Sequence, residues 1–164
     1  MKIRTESDLY EPVRVWFQDT LARRFRKCQV RAFNTSRTRL STFLAQRALL
    51  GKFPNSGVWD IQADITAIIT GARNHVAFIE CKLGAVTLRD VGQLLGYCRV
   101  ARPVAAILLS ICPPARTLRT LLVVHGRYDI LEYGEDRQRI LLARWDTMRG
   151  GILHAETLPP GEHL

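Results

Sequence analysis

The chain has 164 residues, 47% apolar and 24% charged, enough for one domain with a sizeable buried core and too apolar for a disordered segment. Its longest apolar runs, such as residues 104–109, are far too short to cross a bilayer, and no signal-peptide pattern opens it, so the expectation is a cytoplasmic protein without a membrane partner. A formal net charge of +9, from 24 basic and 15 acidic residues, points to an acidic partner.

Ser7 or Asp8 caps a first predicted helix, with Pro12 tolerated in its opening turn and Leu9, Val13, Trp16, Phe17 and Leu21 at helical spacing as far as about Arg26. Gln29 to Phe33 is a short strand, and Asn34 to Arg39 a polar, basic loop. Ser41 caps a helix through Leu50, followed by a turn-rich loop from Gly51 to Gly57. Asp60 to Thr70 and Val76 to Lys82 read as strands of a hairpin joined by Gly71-Ala-Arg-Asn74. Thr87, with Asp90 three residues on, caps a helix to about Ala101, ahead of Pro103.

Val104 to Cys112 is a continuous apolar run, as in a strand buried on both faces. Pro114 starts a helix to about His125, and Tyr128–Tyr133 with Arg139–Trp145 would close the domain as a strand pair. The expectation is a single domain over residues 1–149 and a poorly ordered tail over 150–164. This order predicts an α/β fold, a mixed central β-sheet flanked by helices.

The positive charge is unevenly placed. Between Thr20 and Trp59 stand Arg23, Arg24, Arg26, Lys27, Arg31, Arg37, Arg39, Arg47 and Lys52, with no acid among them. A one-signed stretch of this length suits a phosphate backbone, so nucleic acid is the expected partner. Trp59, beside this stretch and the hairpin, is a candidate platform for stacking a base. Four irregularly spaced cysteines, without a Cys-x-x-Cys or paired histidines, argue for packed thiols and against zinc or an iron–sulfur cluster.

Lysine is scarce here: 20 of the basic residues are arginine, leaving Lys2, Lys27, Lys52 and Lys82. Lys82 ends the run His75-Val-Ala-Phe-Ile-Glu80-Cys-Lys82, and Asp64 opens the apolar run before it. A lysine beside carboxylates can shift its pKa and pass a proton, which an arginine cannot. Glu80 and Lys82 share one strand face, and Asp64 joins them only if it opposes Glu80 or Lys82 across the hairpin. That requires a turn of three or five residues, or a bulge; a four-residue turn would set Asp64 against Cys81 and destroy the site. Two neighbouring carboxylates repel unless a cation lies between them, and Mg²⁺ or Mn²⁺ suits oxygen ligands, with the Cys81 backbone carbonyl as a third donor. Such an ion with Lys82 serves phosphodiester hydrolysis.

With Asp64 as the first acid, Glu80 as the second and Lys82 as the lysine, the chain resembles the PD-(D/E)xK nuclease superfamily over about residues 7–112. Ala63 stands where the family name has proline, and Asp60 is a rival for the first acid, less favoured because the uninterrupted run Ile65–Ile69 follows Asp64. Gln93-Leu-Leu-Gly-Tyr97 resembles the Gln-x-x-x-Tyr motif of the RecB-like branch, and a Holliday-junction-resolvase-like branch is also compatible. Glu11 matches the first-helix acid that supports a second metal in some members. The resemblance implies a restriction-endonuclease-like core and a Mg²⁺- or Mn²⁺-dependent deoxyribonuclease, with Arg23, Arg24, Arg26, Lys27, Arg37, Arg39, Arg47 and Lys52 on the nucleic acid. No recognition helix with a base-reading code stands out, so structure- or end-directed cutting is expected over sequence-specific restriction, and a homodimer is compatible with cutting both strands of a duplex. Two readings stay open on the residues alone: a binding module of the same fold without hydrolysis, and a nuclease acting on RNA.

Overall fold

Leu9, Val13, Phe17 and Leu21 recur at helical spacing, and all four are fully buried on one side of α1 (Ser7–Arg24). The computed structural model that shows this describes residues 3–162. After α1 come β1 (Gln29–Asn34), α2 (Leu40–Gln46), β2 (Ile65–Thr70) and β3 (His75–Lys82). Then follow α3 (Leu88–Ala101), β4 (Ala105–Ser110), the single turn α4 (Arg116–Arg119), β5 (Glu132–Tyr133), β6 (Gln138–Arg139), β7 (Leu141–Asp146) and β8 (Gly151–Ile152). The described residues thus form an α/β protein with a mixed six-stranded sheet, in the order β1-β2-β3-β4-β7-β8.

β1, β2 and β3 run as an antiparallel meander, and α3 then carries the chain across to β4, which lies parallel to β3. Side chains alternate along each strand, so the sheet has two separate cores. On one face Leu9, Phe17 and Leu21 of α1 pack against Ile65, Ile79 and Ile107. On the other, Phe43 of α2 and Leu94 of α3 pack against Ile68, Phe78 and Leu108. Burying one such side chain contributes about 1.5–3 kcal/mol, so each helix is held mainly by its apolar stripe.

The hairpin settles the question of register. Ile65 pairs with Ile79 and Ile69 with His75, which leaves five residues, Thr70 to Asn74, to turn the chain. Continuing that ladder by one step sets Asp64 against Glu80. Gly71 lets the turn approach the residue before β1: a Cβ there would lie 2.7 Å from Cys28 Sγ.

Several elements are shorter than periodicity suggests. α2 stops at Gln46 and not at Leu50, because Ala48 takes a left-handed conformation (φ 55°) and the Leu49 N–H turns back to the Leu44 carbonyl. The strand expected from Asp60 begins only at Ile65. The segment from Pro114 makes one α-turn and then a π-turn over Thr120–Val124. Tyr128–Leu131 is a 3-10 turn, and β5 pairs only with β6. β7 does not pair with that segment but runs parallel to β4, where Leu141, Leu142, Ala143 and Trp145 are buried.

The expected loose tail is a correction of the same kind. β8 pairs with the end of β7, Leu142 and Leu158 exchange backbone hydrogen bonds of 2.9 and 3.0 Å, and Arg144 holds Glu156 at 3.0 Å. Residues 150–162 are therefore packed, while 163–164 lie outside the described residues. Among the described residues no helix is long and apolar enough to cross a membrane.

Candidate active site

Asp64 stands in the bend just before β2, where two buried hydroxyls shape the backbone. The Thr35 hydroxyl donates to the Ala63 carbonyl at 2.6 Å and lies 2.8 Å from the Thr66 hydroxyl. The Thr35 N–H donates to the Asp64 carbonyl at 2.8 Å. With its backbone held on one side, the Asp64 carboxylate reaches β3, where Oδ2 accepts the Cys81 N–H at 2.9 Å. In a strand the N–H and C=O of one residue project to the same side, so the Cys81 carbonyl also projects toward Asp64.

Glu80 comes to the same place from β3. Its Oε2 accepts the Asp64 N–H at 3.4 Å, and its Oε1 lies 3.5 Å from Lys82 Nζ and 3.4 Å from Gln93 Nε2. Gln93 Nε2 is also 3.2 Å from the Tyr97 hydroxyl, one turn further along α3. The Asp90 carboxylate, accepting from both the N–H and the hydroxyl of Thr87, fixes the start of that helix. The structure therefore brings Asp64, Glu80, Lys82, Gln93 and Tyr97 together, with the Cys81 backbone between them.

The site is electrostatically loaded. Burial, then the neighbouring Asp64 charge, pushes the Glu80 carboxyl up to about 7, against the opposing pull of Lys82. Burial works to lower Lys82, but the charges of Glu80, Glu6, Asp64 and Asp90 outweigh it and hold the ammonium above its ordinary value. Burial and the two acids push the Cys81 thiol well up, so it stays neutral.

No protein-family model, curated protein or solved structure matches this chain. The reading of the site therefore rests on its own geometry.

Glu11 is not brought to the site. Its carboxylate is held by Arg14 at 2.6 and 2.8 Å on the exposed side of α1. At 100° per residue, Glu11 lies about 200° round the helix from the buried Leu9, whereas Glu6 and Tyr10 fall together on one side of that residue, about 60° and 100° from it. Glu6, the residue that caps α1, and Tyr10 are what this helix contributes: burial, with the nearby Asp64 charge, pushes the Tyr10 phenol up. Their helical phase relative to Leu9 was the signal in the sequence. Thr35 and Thr66 carried no comparable signal, since their pairing depends on the β1–β2 register.

The other candidates separate. Asp60, the rival first acid, is exposed and paired with Arg39 at 3.1 Å. Trp59 is 5% exposed and packed beside Phe53, so it offers no face to a base. Arg37 and Arg39 follow Thr35 in the loop bonded to the Asp64 backbone. Arg23, Arg24, Arg26 and Lys27 lie at the far end of α1: Arg24 is fourteen residues beyond Tyr10, about 21 Å along the axis. Arg47 stacks on Phe43 and Phe33, near Lys52. Cys81 and Cys98 are fully buried, and all four cysteines are free thiols.

Proposed function

We propose that this chain is a restriction-endonuclease-like, Mg²⁺- or Mn²⁺-dependent nuclease that hydrolyses phosphodiester bonds, with DNA as the substrate. The observation that carries the reading is the convergence of Asp64 and Glu80, beside Lys82, at the shared end of β2 and β3. The donor set fits the ion. The Asp64 charge adds to the cost of ionising buried Glu80, which a cation between them would offset, and Asp64, Glu80 and the Cys81 carbonyl are all hard oxygen donors. Among the described residues no group of three or more His, Cys, Asp or Glu converges. That suits Mg²⁺ or Mn²⁺, since Mg²⁺ is commonly held by one or two carboxylates and keeps several waters, better than zinc.

When bound, the divalent ion supplies charge neutralisation at the phosphate and a more acidic water. Lys82 holds a positive charge where negative charge grows on the phosphoryl oxygens, and it orients the attacking water. Gln93 steadies Glu80, and Tyr97 steadies Gln93. The Cys81 N–H keeps Asp64 turned toward β3. Arg37 and Arg39, in the loop bonded to Asp64, meet the phosphates beside the scissile one. Cutting both strands of a duplex would take two copies, each supplying one site.

The test is a panel of plasmid, single-stranded, branched and duplex DNA and single-stranded RNA, incubated with Mg²⁺, Mn²⁺ or EDTA and resolved at nucleotide level. Metal-dependent DNA products support the reading. Binding without products in any metal would make the chain a binding module, and products from RNA alone would change the substrate.

A further inference from the structure

At the β1 edge of the sheet, on the face opposite α1, lies a cavity of about 270 Å³ separate from the carboxylate site. Alternation along β1 turns Gln29, Arg31 and Phe33 toward it, and the register sets Arg31 beside Ile68 and Gln29 beside Thr70. Phe33 and Ile68 form an apolar floor. Three cations stand around it, Arg31, Arg47 and Lys52, and no acid lines the cavity. Among the described residues none of the three is ion-paired. The Arg47 guanidinium lies 4.0 Å from the Phe43 ring centroid and 4.9 Å from that of Phe33, so a planar cation is held in place while it stays exposed.

Three unpaired cations over an apolar, aromatic floor fit a ligand that is anionic at one end and flat at the other. Small-molecule sites start at about 300 Å³, so this cavity takes a single unit and not a duplex. Ile68 and Thr70 lie four and six residues along β2 from Asp64, about 13–20 Å at strand rise. That is too far for the nucleotide being cut, so the cavity is a second site.

We propose that this cavity binds one unpaired nucleoside-phosphate unit, with its phosphate on Arg31 and Lys52 and its base against Arg47 and Phe33. Gln29 and Thr70 supply donors and acceptors at the rim. The unit could come as a free mononucleotide or as a residue of a single strand. The strand form rests on the nuclease reading above; the cavity's chemistry does not.

The experiment measures fluorescence anisotropy in EDTA, where nothing is cut. The ligands are a labelled single strand carrying 2-aminopurine, the same sequence as a blunt duplex, and dAMP as competitor. The proteins are wild type, R31E/K52E, R47K and a charge-matched control, R26E/K27E, all substituted at exposed positions and checked for an unchanged melting temperature. Wild type should prefer the single strand over the duplex by about tenfold, the scale of one stacked base. R31E/K52E should lose that preference, while the control weakens both ligands alike. R47K, which keeps the charge but not the plane, should lose the 2-aminopurine quenching. Competition by dAMP assigns the site to free nucleotides as well as strands; pocket-dependent binding without competition assigns it to strands alone. Equal weakening of both ligands by R31E/K52E and by the control would overturn the proposal. If R31E/K52E loses the single-strand preference as proposed but wild type gives no products in the metal panel, the nuclease reading falls and the cavity stands.

Discussion

Asp64 and Glu80 meet across the β2–β3 hairpin, the Asp64 N–H donating to Glu80 Oε2 at 3.4 Å, because five residues and not four turn the chain. One residue fewer in that turn would put Cys81 opposite Asp64 and send Glu80 to a different neighbour. The site therefore depends on backbone count as much as on side chains, and the consequences can be measured.

Lys82→Ala should lower cleavage by about a hundredfold or more, the scale for removing a group aimed at transition-state charge, with DNA affinity little changed. Lys82→Arg should restore only part of it, since a planar guanidinium cannot occupy the place of a compact ammonium beside Glu80. Full activity of Lys82→Ala under single-turnover conditions would remove Lys82 from the mechanism.

Glu80 carries a pH signature. Its carboxyl is raised from 4.5 to about 7 in the fold, so its contribution to stability is fully present below pH 4.5 and is lost as pH rises through 7. In EDTA, wild type should lose on the order of 1–3 kcal/mol between pH 5 and pH 8 from this group, and Glu80→Gln should flatten that slope. Mn²⁺ should raise the melting temperature more at pH 8 than at pH 5, because protons compete for the same carboxylate. Unfolding free energies from urea denaturation that vary identically with pH in the two proteins would contradict the coupling.

Glu6 and Glu11 make a matched pair on α1. Glu11→Gln should leave cleavage within about twofold, since it breaks only a surface pair with Arg14. Glu6→Gln should lower it, because Glu6 is among the acids whose charge acts on Lys82. Tyr10→Phe should cost about two- to tenfold, because it removes the phenol that stands beside the Asp64 charge. Steady-state cleavage rates of the three variants decide it; a larger loss in Glu11→Gln than in Glu6→Gln would reverse the assignment.

Thr35→Val should destabilise the fold by about 1–3 kcal/mol, because it strips the Ala63 carbonyl and the Thr66 hydroxyl of a buried partner. Cleavage should fall further than stability at 25 °C accounts for, since the bend that aims Asp64 relaxes. Thr35→Ser, which keeps the hydroxyl, should recover both in denaturation and activity assays.

Local pattern made much of this molecule legible. The apolar stripe of α1, the run of β4, the Thr87–Asp90 cap of α3 and the helical spacing of Gln93 and Tyr97 depend on near neighbours, and the sequence alone determined them. So did the condition for the site, since strand parity demands an odd turn or a bulge before Asp64 and Glu80 can meet. Only the tertiary structure decided that the turn has five residues, since the pairing of Ile65 with Ile79 and of Ile69 with His75 sets it, with Gly71 packed close to Cys28 just before β1. It also paired the Thr35 and Thr66 hydroxyls, placed β7 beside β4, and packed residues 150–162 along β7. Each of these depends on which distant backbone edge or apolar face is left open, and no window of the chain holds that information.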